Sequence, residues 1–109
     1  MSLGEADIAF AKELFSDLPN ITTRKMFGGL SIYSDGVIFA LIKSDAQIML
    51  KSQDATFDAK LADMGAEKWN YTRKDGAQSS MPYWSLPDAA LDDPDLALSL
   101  AREALNLLS

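Results

Sequence analysis

Residues 37–42 read VIFALI, which is the longest unbroken apolar run in the chain. Successive side chains of a β-strand point to opposite faces of the sheet, so this run is apolar on both faces. The two predicted faces are Val37, Phe39 and Leu41 on one side and Ile38, Ala40 and Ile42 on the other. A strand with two apolar faces belongs in the interior of a sheet that is at least partly covered on both sides. The run therefore predicts a central strand and a domain built around a β-sheet.

Other extended segments flank this strand along the chain. Residues 22–33 are predicted to form one strand, in which the Gly28-Gly29 pair indicates a bulge or a close backbone contact. A Ser-Asp-Gly turn leads into the central strand, and residues 47–51 return as a third strand. These three strands are predicted to pair as sequential hairpins.

A further hairpin is predicted later in the chain. Residues 68–74 alternate in character, the Asp75-Gly76 pair predicts a tight turn, and residues 77–86 return. Because Pro82 has no backbone N–H, the returning strand is expected at a sheet edge or with a bulge at this residue.

Three segments show the helical spacing of apolar residues. The first is residues 5–18, the second begins after a cap at Ser52 or Asp54, and the third is residues 93–108. Together with the strands they give the order α-β-β-β-α-β-β-α. This order predicts one two-layer α+β domain over residues 1–109, with an antiparallel sheet and the helices packed on one face.

Charge and composition exclude several classes of functional site and of binding partner. The 109 residues include 10 basic and 16 acidic side chains, and the net charge of −6 repels nucleic-acid backbones and anionic lipid. The chain has no Cys and no His, which excludes disulfides, thiol nucleophiles, histidine bases and zinc sites with nitrogen or sulfur ligands. No segment reads as a signal peptide or a membrane span. We therefore expect a cytoplasmic protein that contacts neither membrane nor nucleic acid directly.

Four other features have both a chemical and a structural interpretation. They are Ser79 and Ser80 with Lys74 as nucleophile and base, Asp88, Asp92, Asp93 and Asp95 as cation ligands, Gly28-Gly29 as a phosphate cradle, and Trp69 and Tyr71 as a base-stacking platform. The structural interpretation is favoured in each case. It consists of solvated serines, helix capping, a strand bulge and aromatic rings directed into the core. We predict no catalytic residue, no metal and no cofactor.

The sheet face away from the helices is the predicted interaction surface. If all three helices lie on one side, the other side keeps apolar residues of the central strand, and an uncovered patch of that kind marks an interface. A partner protein, a second copy of the chain in a homodimer, or the extension of an edge strand would each cover it.

Two motifs carry a resemblance to a known family. Residues 24–33 read RKMFGGLSIY, and residues 81–87 read MPYWSLP. Together with the closing helix, they resemble the TfoX N-terminal domain family over nearly the whole chain. The resemblance implies a fold similar to secretion chaperones, no enzymatic activity, and a role in regulating natural competence as a transcriptional coactivator with the cyclic-AMP receptor protein. The family's regulator also has a helical C-terminal domain. The 109 residues of this chain are taken up by one domain, so a stand-alone N-terminal domain is expected here.

The residues that match the family signatures are interpreted mainly as structural. They are Phe27, Gly28, Gly29, Met81, Pro82 and Tyr83, of which the glycines and the proline shape the backbone and the others pack. Arg24 and Lys25 are the exception. Two adjacent cations at the start of a strand are not needed for a core, so they are the predicted contact site.

These observations lead to a hypothesis of function. The domain is expected to be a non-enzymatic protein-interaction module that acts on transcription through a DNA-binding partner protein. The alternative is a domain that binds a small ligand or nucleotide through the sheet face or the Gly28-Gly29 segment.

Overall fold

The computed structural model describes residues 4–26 and 28–108, with only the backbone of Tyr71. The helices and strands, in chain order, are α1 (Glu5–Leu14), β1 (Ile21–Met26), β2 (Gly29–Ser34), β3 (Val37–Ile42), β4 (Ile48–Lys51), α2 (Ala55–Asp63), β5 (Lys68–Thr72), β6 (Gln78–Ser85), α3 (Asp88–Leu91) and α4 (Pro94–Leu108).

All strands belong to one antiparallel sheet of order β1-β2-β3-β4-β6-β5. The two-faced apolar strand β3 lies in its interior, as residues 37–42 predict. The α+β class and the antiparallel sheet are thus confirmed. Among the described residues, no helix is both long enough and apolar enough to cross a membrane.

The sheet has six strands where five were predicted, because residues 22–33 form a hairpin and not one bulged strand. Met26 pairs with Gly29, so only two residues separate β1 from β2, and Gly28 has a positive φ of 79°. Such a short connection needs a residue that adopts this backbone conformation, which glycine does without strain. The bulge alternative for Gly28-Gly29 was therefore wrong. The close backbone contact that the pair also predicted does occur, because a Cβ atom at Gly29 would meet the carbonyl oxygen of Ile42 at 2.2 Å.

A bulge does occur in β3, and it changes the predicted faces of that strand. Tyr33 pairs with Ile38 whereas Ile32 pairs with Ala40, so Phe39 is the extra residue. Consequently Phe39, Ala40 and Ile42 all join the main core on the helical side. Ile38 and Leu41 lie in a cluster on the other face. The strict alternation predicted for this strand ends at the bulge because two residues there oppose one.

Pro82 lies in the sheet interior, since β6 runs between β4 and β5. The pairing register of β5 with β6 slips beside it: Lys68 pairs with Trp84, and Asn70 pairs with Ser80. The carbonyl of Pro82 still accepts a hydrogen bond from the Ser52 backbone N–H at 2.9 Å. The bulged alternative is therefore confirmed and the edge alternative is wrong.

The helices cover one face of the sheet and bury the main core. Phe15, just after α1, meets Phe39 of β3 edge to face, with ring centroids 5.3 Å apart. The long helix α4 packs on β3 and β4 through fully buried residues such as Leu100. Each leucine-sized side chain buried in this way stabilises the fold by about 1.5–3 kcal/mol.

An additional short helix, α3, lies between β6 and α4, where the sequence pattern predicts neither a helix nor a strand. It buries Ala90, and its four residues are too few to produce a periodic pattern. The following helix α4 begins as predicted, because the Asp93 carboxylate accepts a hydrogen bond from the Leu96 backbone N–H at 3.3 Å. The observed order is α-β-β-β-β-α-β-β-α-α.

Candidate functional site: the open face of the sheet

The sheet face opposite the helices, called the open face below, carries a second apolar cluster. Three of its residues are buried, and four half-buried residues pack around them. The buried residues are Leu41, Met49 and Tyr83, and the half-buried ones are Met26, Ile38, Trp69 and Met81. All seven come from strands. The predicted apolar face therefore exists. The three residues at its centre are already buried by their neighbours, so a partner would contact mainly the four half-buried residues around them.

Strand pleating places the open-face cluster opposite the main core. In β4, Ile48 and Leu50 join the main core while Met49 lies in the open-face cluster. Such an alternation is what a regular β-strand produces. The next residue on the open face, Lys51, pairs in register with the buried Tyr83.

A small cavity opens on this face beside the β1–β2 turn. It has a volume of about 130 Å³, and its apolar lining includes Met26, Leu41 and the ring of Trp69. Lys43 also lines it, with its ammonium nitrogen 5.3 Å from the centroid of the Trp69 ring. A cation over an aromatic face contributes about 0.5–1 kcal/mol at an exposed site, and here it holds a positive charge at the cavity.

The same lysine has only a weak acidic neighbour. The Lys43 ammonium lies 3.8 Å from an exposed carboxylate oxygen of Asp45. An exposed pair at this distance is worth little in water. Lys43 thus remains able to bind a carboxylate of another molecule.

The structure separates Arg24 and Lys25, which are adjacent in sequence. Arg24 pairs with Ser31, whose hydroxyl donates to the sulfur of Met26 at 3.3 Å, so Arg24 belongs to the open face. Lys25 pairs with Leu30, a residue of the main core, and therefore lies on the opposite face. Both side chains are exposed. Because they point in opposite directions, they do not form one patch on a single face of the sheet, and their predicted role as a contact site stays a prediction.

The signature residues are placed around the same cavity and cluster. Gly29 lines the cavity, while Met81 and Tyr83 belong to the cluster and Pro82 lies between them in β6. Phe27 lies outside the described residues. The described signature residues therefore help to form the cavity and the apolar cluster of the open face.

Tyr83 lies at the centre of the open face as a neutral phenol. Burial raises the pKa of its hydroxyl above the ordinary value of 10.0, and the nearby Tyr33 raises it further. Desolvation disfavours the phenolate, so the centre of the open face carries no charge at neutral pH.

The positive character of the open face comes mainly from residues that sequence reasoning missed. Lys43 and Lys51 were not singled out, and Trp69 was expected to point into the core. The alternation Met49-Leu50-Lys51 was a usable signal for Lys51. No local pattern indicates that Lys43 reaches Trp69, because Lys43 follows β3 and Trp69 lies in β5, which is distant along the chain.

Charge is distributed unequally between the two layers. Within the part of the chain that the structure describes, the helical segments 4–20, 52–66 and 87–108 carry 12 acidic and 3 basic residues. The strand segments 21–51 and 67–86 carry 4 acidic and 7 basic residues. The net negative charge therefore belongs to the helical layer, and the sheet layer is weakly positive.

The family of this chain follows from its comparison with known domains. The family model of the TfoX N-terminal domain matches residues 13–107. The chain belongs to the TfoX N-terminal domain family. The match spans both signature motifs and the whole sheet, which confirms the resemblance stated from those motifs. A search of the curated proteins finds no match to this chain.

The described residues of this TfoX N-terminal domain offer no metal centre. Over residues 4–26 and 28–108, no three acidic side chains come together in a way that could hold a metal ion. In the acidic run around α3, Asp93 caps α4. What the geometry provides instead is an apolar cluster, a small cavity and a set of cations on one face.

Proposed function

We propose that this TfoX N-terminal domain is a non-enzymatic protein-interaction module whose open face binds an acidic surface of a partner protein. The observation that supports it is the apolar cluster of the open face, edged by Arg24, Lys43 and Lys51. Among the described residues, Arg24 and Lys51 form no ion pair, and Lys43 has only the weak contact with Asp45.

The partner's surface follows from the shape and charge of the open face. An aromatic or aliphatic side chain of the partner enters the cavity beside Trp69, and carboxylates next to it meet Lys43 and Lys51. An anchor of this kind at the centre of an interface carries much of the binding energy, and the charges around it provide orientation and specificity. A standard interface of about 800 Å² per partner would cover the whole cluster.

Regulation of transcription is proposed to occur through a DNA-binding partner and not through direct contact with DNA. Family membership supports the regulatory role, and the net charge of −6 supports the indirect route. Binding to DNA depends on cations that replace the counterions of the phosphates, and the helical layer here presents the opposite charge.

Charge reversal tests the proposed surface. The immobilised domain captures proteins from an extract of the source cells, and calorimetry measures the affinity of each identified protein. We expect the double variant Lys43→Glu with Lys51→Glu to bind the partner at least about tenfold more weakly, because repulsion replaces attraction in a desolvated contact. Arg24→Glu should weaken it less, since this residue lies at the sheet edge.

Lys25→Glu is the matched control, because Lys25 has the same charge and strand as Arg24 but lies on the other face. Equal loss of binding in Lys25→Glu and in the double variant would contradict the open-face site. Fluorescence polarisation with a DNA duplex provides the second arm. Tight binding of the duplex by the domain alone at physiological salt would contradict the indirect route.

The alternative of a small-ligand or nucleotide site rests on the same cavity. Its volume of about 130 Å³ is below the roughly 300 Å³ at which ligand pockets usually begin, and suits one amino-acid side chain better than a nucleotide. A thermal-shift screen with metabolites discriminates the two functions. A ligand at 100 times its Kd would add about 2.7 kcal/mol of stability, and such a shift would favour the alternative.

A further inference from the structure

A groove on the helical side of the molecule has the opposite character to the open face. It has α1 on one wall and α3 with the start of α4 on the other, and one end of it is also lined by the β3–β4 turn, the C-terminal end of α2 and the end of β6. The groove is defined here as two neighbouring cavities of about 410 and 420 Å³, which share Phe10 and Leu91 in their linings. These two residues therefore mark its middle.

Phe10 and Leu91 are unusually exposed for large apolar side chains. Their exposed fractions are 45% and 36%, and neither is one of the buried residues of the main core. A single exposed apolar residue is ordinary on a protein surface. Leu107 of α4, exposed to 48%, is such a residue, since it lines neither cavity. Phe10 and Leu91 differ from it because they line the same groove, where one partner can cover both of them.

Carboxylates surround this apolar patch on both walls. Asp7, Glu13 and Asp17 lie on the α1 side, and Asp88, Asp92 and Asp95 lie on the side of α3 and α4. Among the described residues, no lysine or arginine lines either cavity, and none of the six carboxylates forms an ion pair.

Helix ends account for only part of these charges. The capping carboxylate of α4 is Asp93, which lines neither cavity. Of the six, Asp7 accepts a hydrogen bond from the backbone N–H of Gly4, the N-cap of α1, at 3.3 Å, and Asp88 and Asp95 lie in the first turns of α3 and α4. Glu13, Asp17 and Asp92 lie outside the first turns of these helices. Like charges around an apolar surface repel one another, and a cationic partner would remove that repulsion as it covers Phe10 and Leu91.

We infer that this groove binds a basic amphipathic helix of a partner protein. Leucine-like side chains at helical spacing on that helix would cover Phe10 and Leu91, and lysines or arginines on its flanks would reach the carboxylates of both walls. The ten residues of α1 span about 15 Å, which matches about three turns of a docked helix. The site goes beyond the proposed function, because it lies in the other layer and selects the opposite charge. With both sites occupied, the domain bridges an acidic partner and a basic one.

A designed peptide tests the groove without knowledge of the natural partner. The probe is a fluorescent peptide of about 14 leucine and lysine residues, roughly 21 Å long as a helix, with its leucines on one helical face. Fluorescence anisotropy measures its binding to the full chain. We expect Phe10→Ser with Leu91→Gln to weaken binding at least about tenfold, since the apolar anchors of an interface carry most of its energy. Asp17→Lys with Asp95→Lys should weaken it similarly.

Three controls make the result decisive. Leu107→Ser removes an equally exposed apolar residue outside the groove and should leave binding unchanged. Lys43→Glu with Lys51→Glu should also leave it unchanged, which separates this site from the open face. A peptide of the same composition in scrambled order, without an apolar face, should bind at least about tenfold more weakly. Circular dichroism verifies that each variant is folded.

Specific outcomes would overturn the inference. Equal binding of the scrambled peptide would mean attraction to net charge alone. Equal loss of binding in Leu107→Ser and in the groove variant would mean a general apolar contact. Sedimentation would also show whether the chain associates with itself. Self-association that is lost in Phe10→Ser would assign the groove to a second copy of the chain instead.

Discussion

The carbonyl oxygen of Ile42 lies where the backbone of Gly29 leaves no room for a side chain. A Cβ atom at Gly29 would come within 2.2 Å of this oxygen, far inside normal contact. The close approach joins the start of β2 to the end of β3, beside the cavity of the open face.

Gly29→Ala should therefore destabilise the domain strongly. The obstacle is backbone and cannot rotate away, so we expect a loss of about 3 kcal/mol or more in the free energy of unfolding, measured with urea. Gly76→Ala is the matched control, because it has a positive φ of 85° but nothing near its Cβ position. Strain alone should cost about 1 kcal/mol there. Similar losses in both variants would contradict the steric explanation.

Two phenylalanines of the first helical segment should respond very differently to truncation. Phe15 is fully buried against Phe39, whereas Phe10 is 45% exposed. Phe15→Ala should cost about 3–5 kcal/mol in the free energy of unfolding, through lost burial and a cavity. Phe10→Ala should change it by at most about 0.5 kcal/mol, as a surface substitution does. A large loss at Phe10 would show that it belongs to the core and would weaken the case for the groove.

The cap of α2 gives a test of local helix energetics. The Asp54 carboxylate accepts a hydrogen bond from the Phe57 backbone N–H at 2.9 Å. Asp54→Ala should cost about 1 kcal/mol in the free energy of unfolding, the usual value of an N-cap. Asp63→Ala removes the same group from the C-terminal end of α2, where negative charge opposes the helix dipole, so it should be neutral or slightly stabilising. Equal effects at both ends would exclude capping as the cause.

Stability should fall in strong alkali partly because of Tyr83. Its pKa is raised in the folded state by burial and by Tyr33, so the unfolded chain releases this proton at a lower pH than the folded chain does. The contribution is present below the ordinary pKa of 10.0 and is lost as the pH rises above it. The free energies of unfolding of the wild type and of Tyr83→Phe should be measured with urea at several pH values. Above about pH 10 the wild type should lose stability relative to the variant, because phenylalanine has no proton to release. A difference that is independent of pH would contradict this account.

Much of the fold was readable from local patterns. The apolar run of β3 predicted an interior strand, Asp75-Gly76 predicted the β5–β6 hairpin, and Asp93 predicted the start of α4. The first hairpin was missed because a Gly-Gly pair suits a bulge and a tight turn equally well. The close backbone contact predicted for this glycine pair is present at Gly29, but local spacing does not reveal that its partner is Ile42 of another strand.

The candidate sites were harder to predict from the sequence, because each site depends on which face of a strand or helix its side chains occupy. Arg24 and Lys25 look like a pair in the sequence, yet the pleat of β1 sends them to opposite faces. Phe10 looks like one more apolar residue of α1, but the helix presents it to the groove beside Leu91.

The amino-acid sequence alone determined the α+β class, the family, the absence of histidine and cysteine chemistry, and the acidic net charge, since all of these depend on residue types and short-range spacing. Only the tertiary structure decided where that charge lies. Strand pairing and helix packing brought Lys43 to Trp69 and Phe10 to Leu91, and contacts between residues far apart in sequence are made by the fold and not by any local pattern.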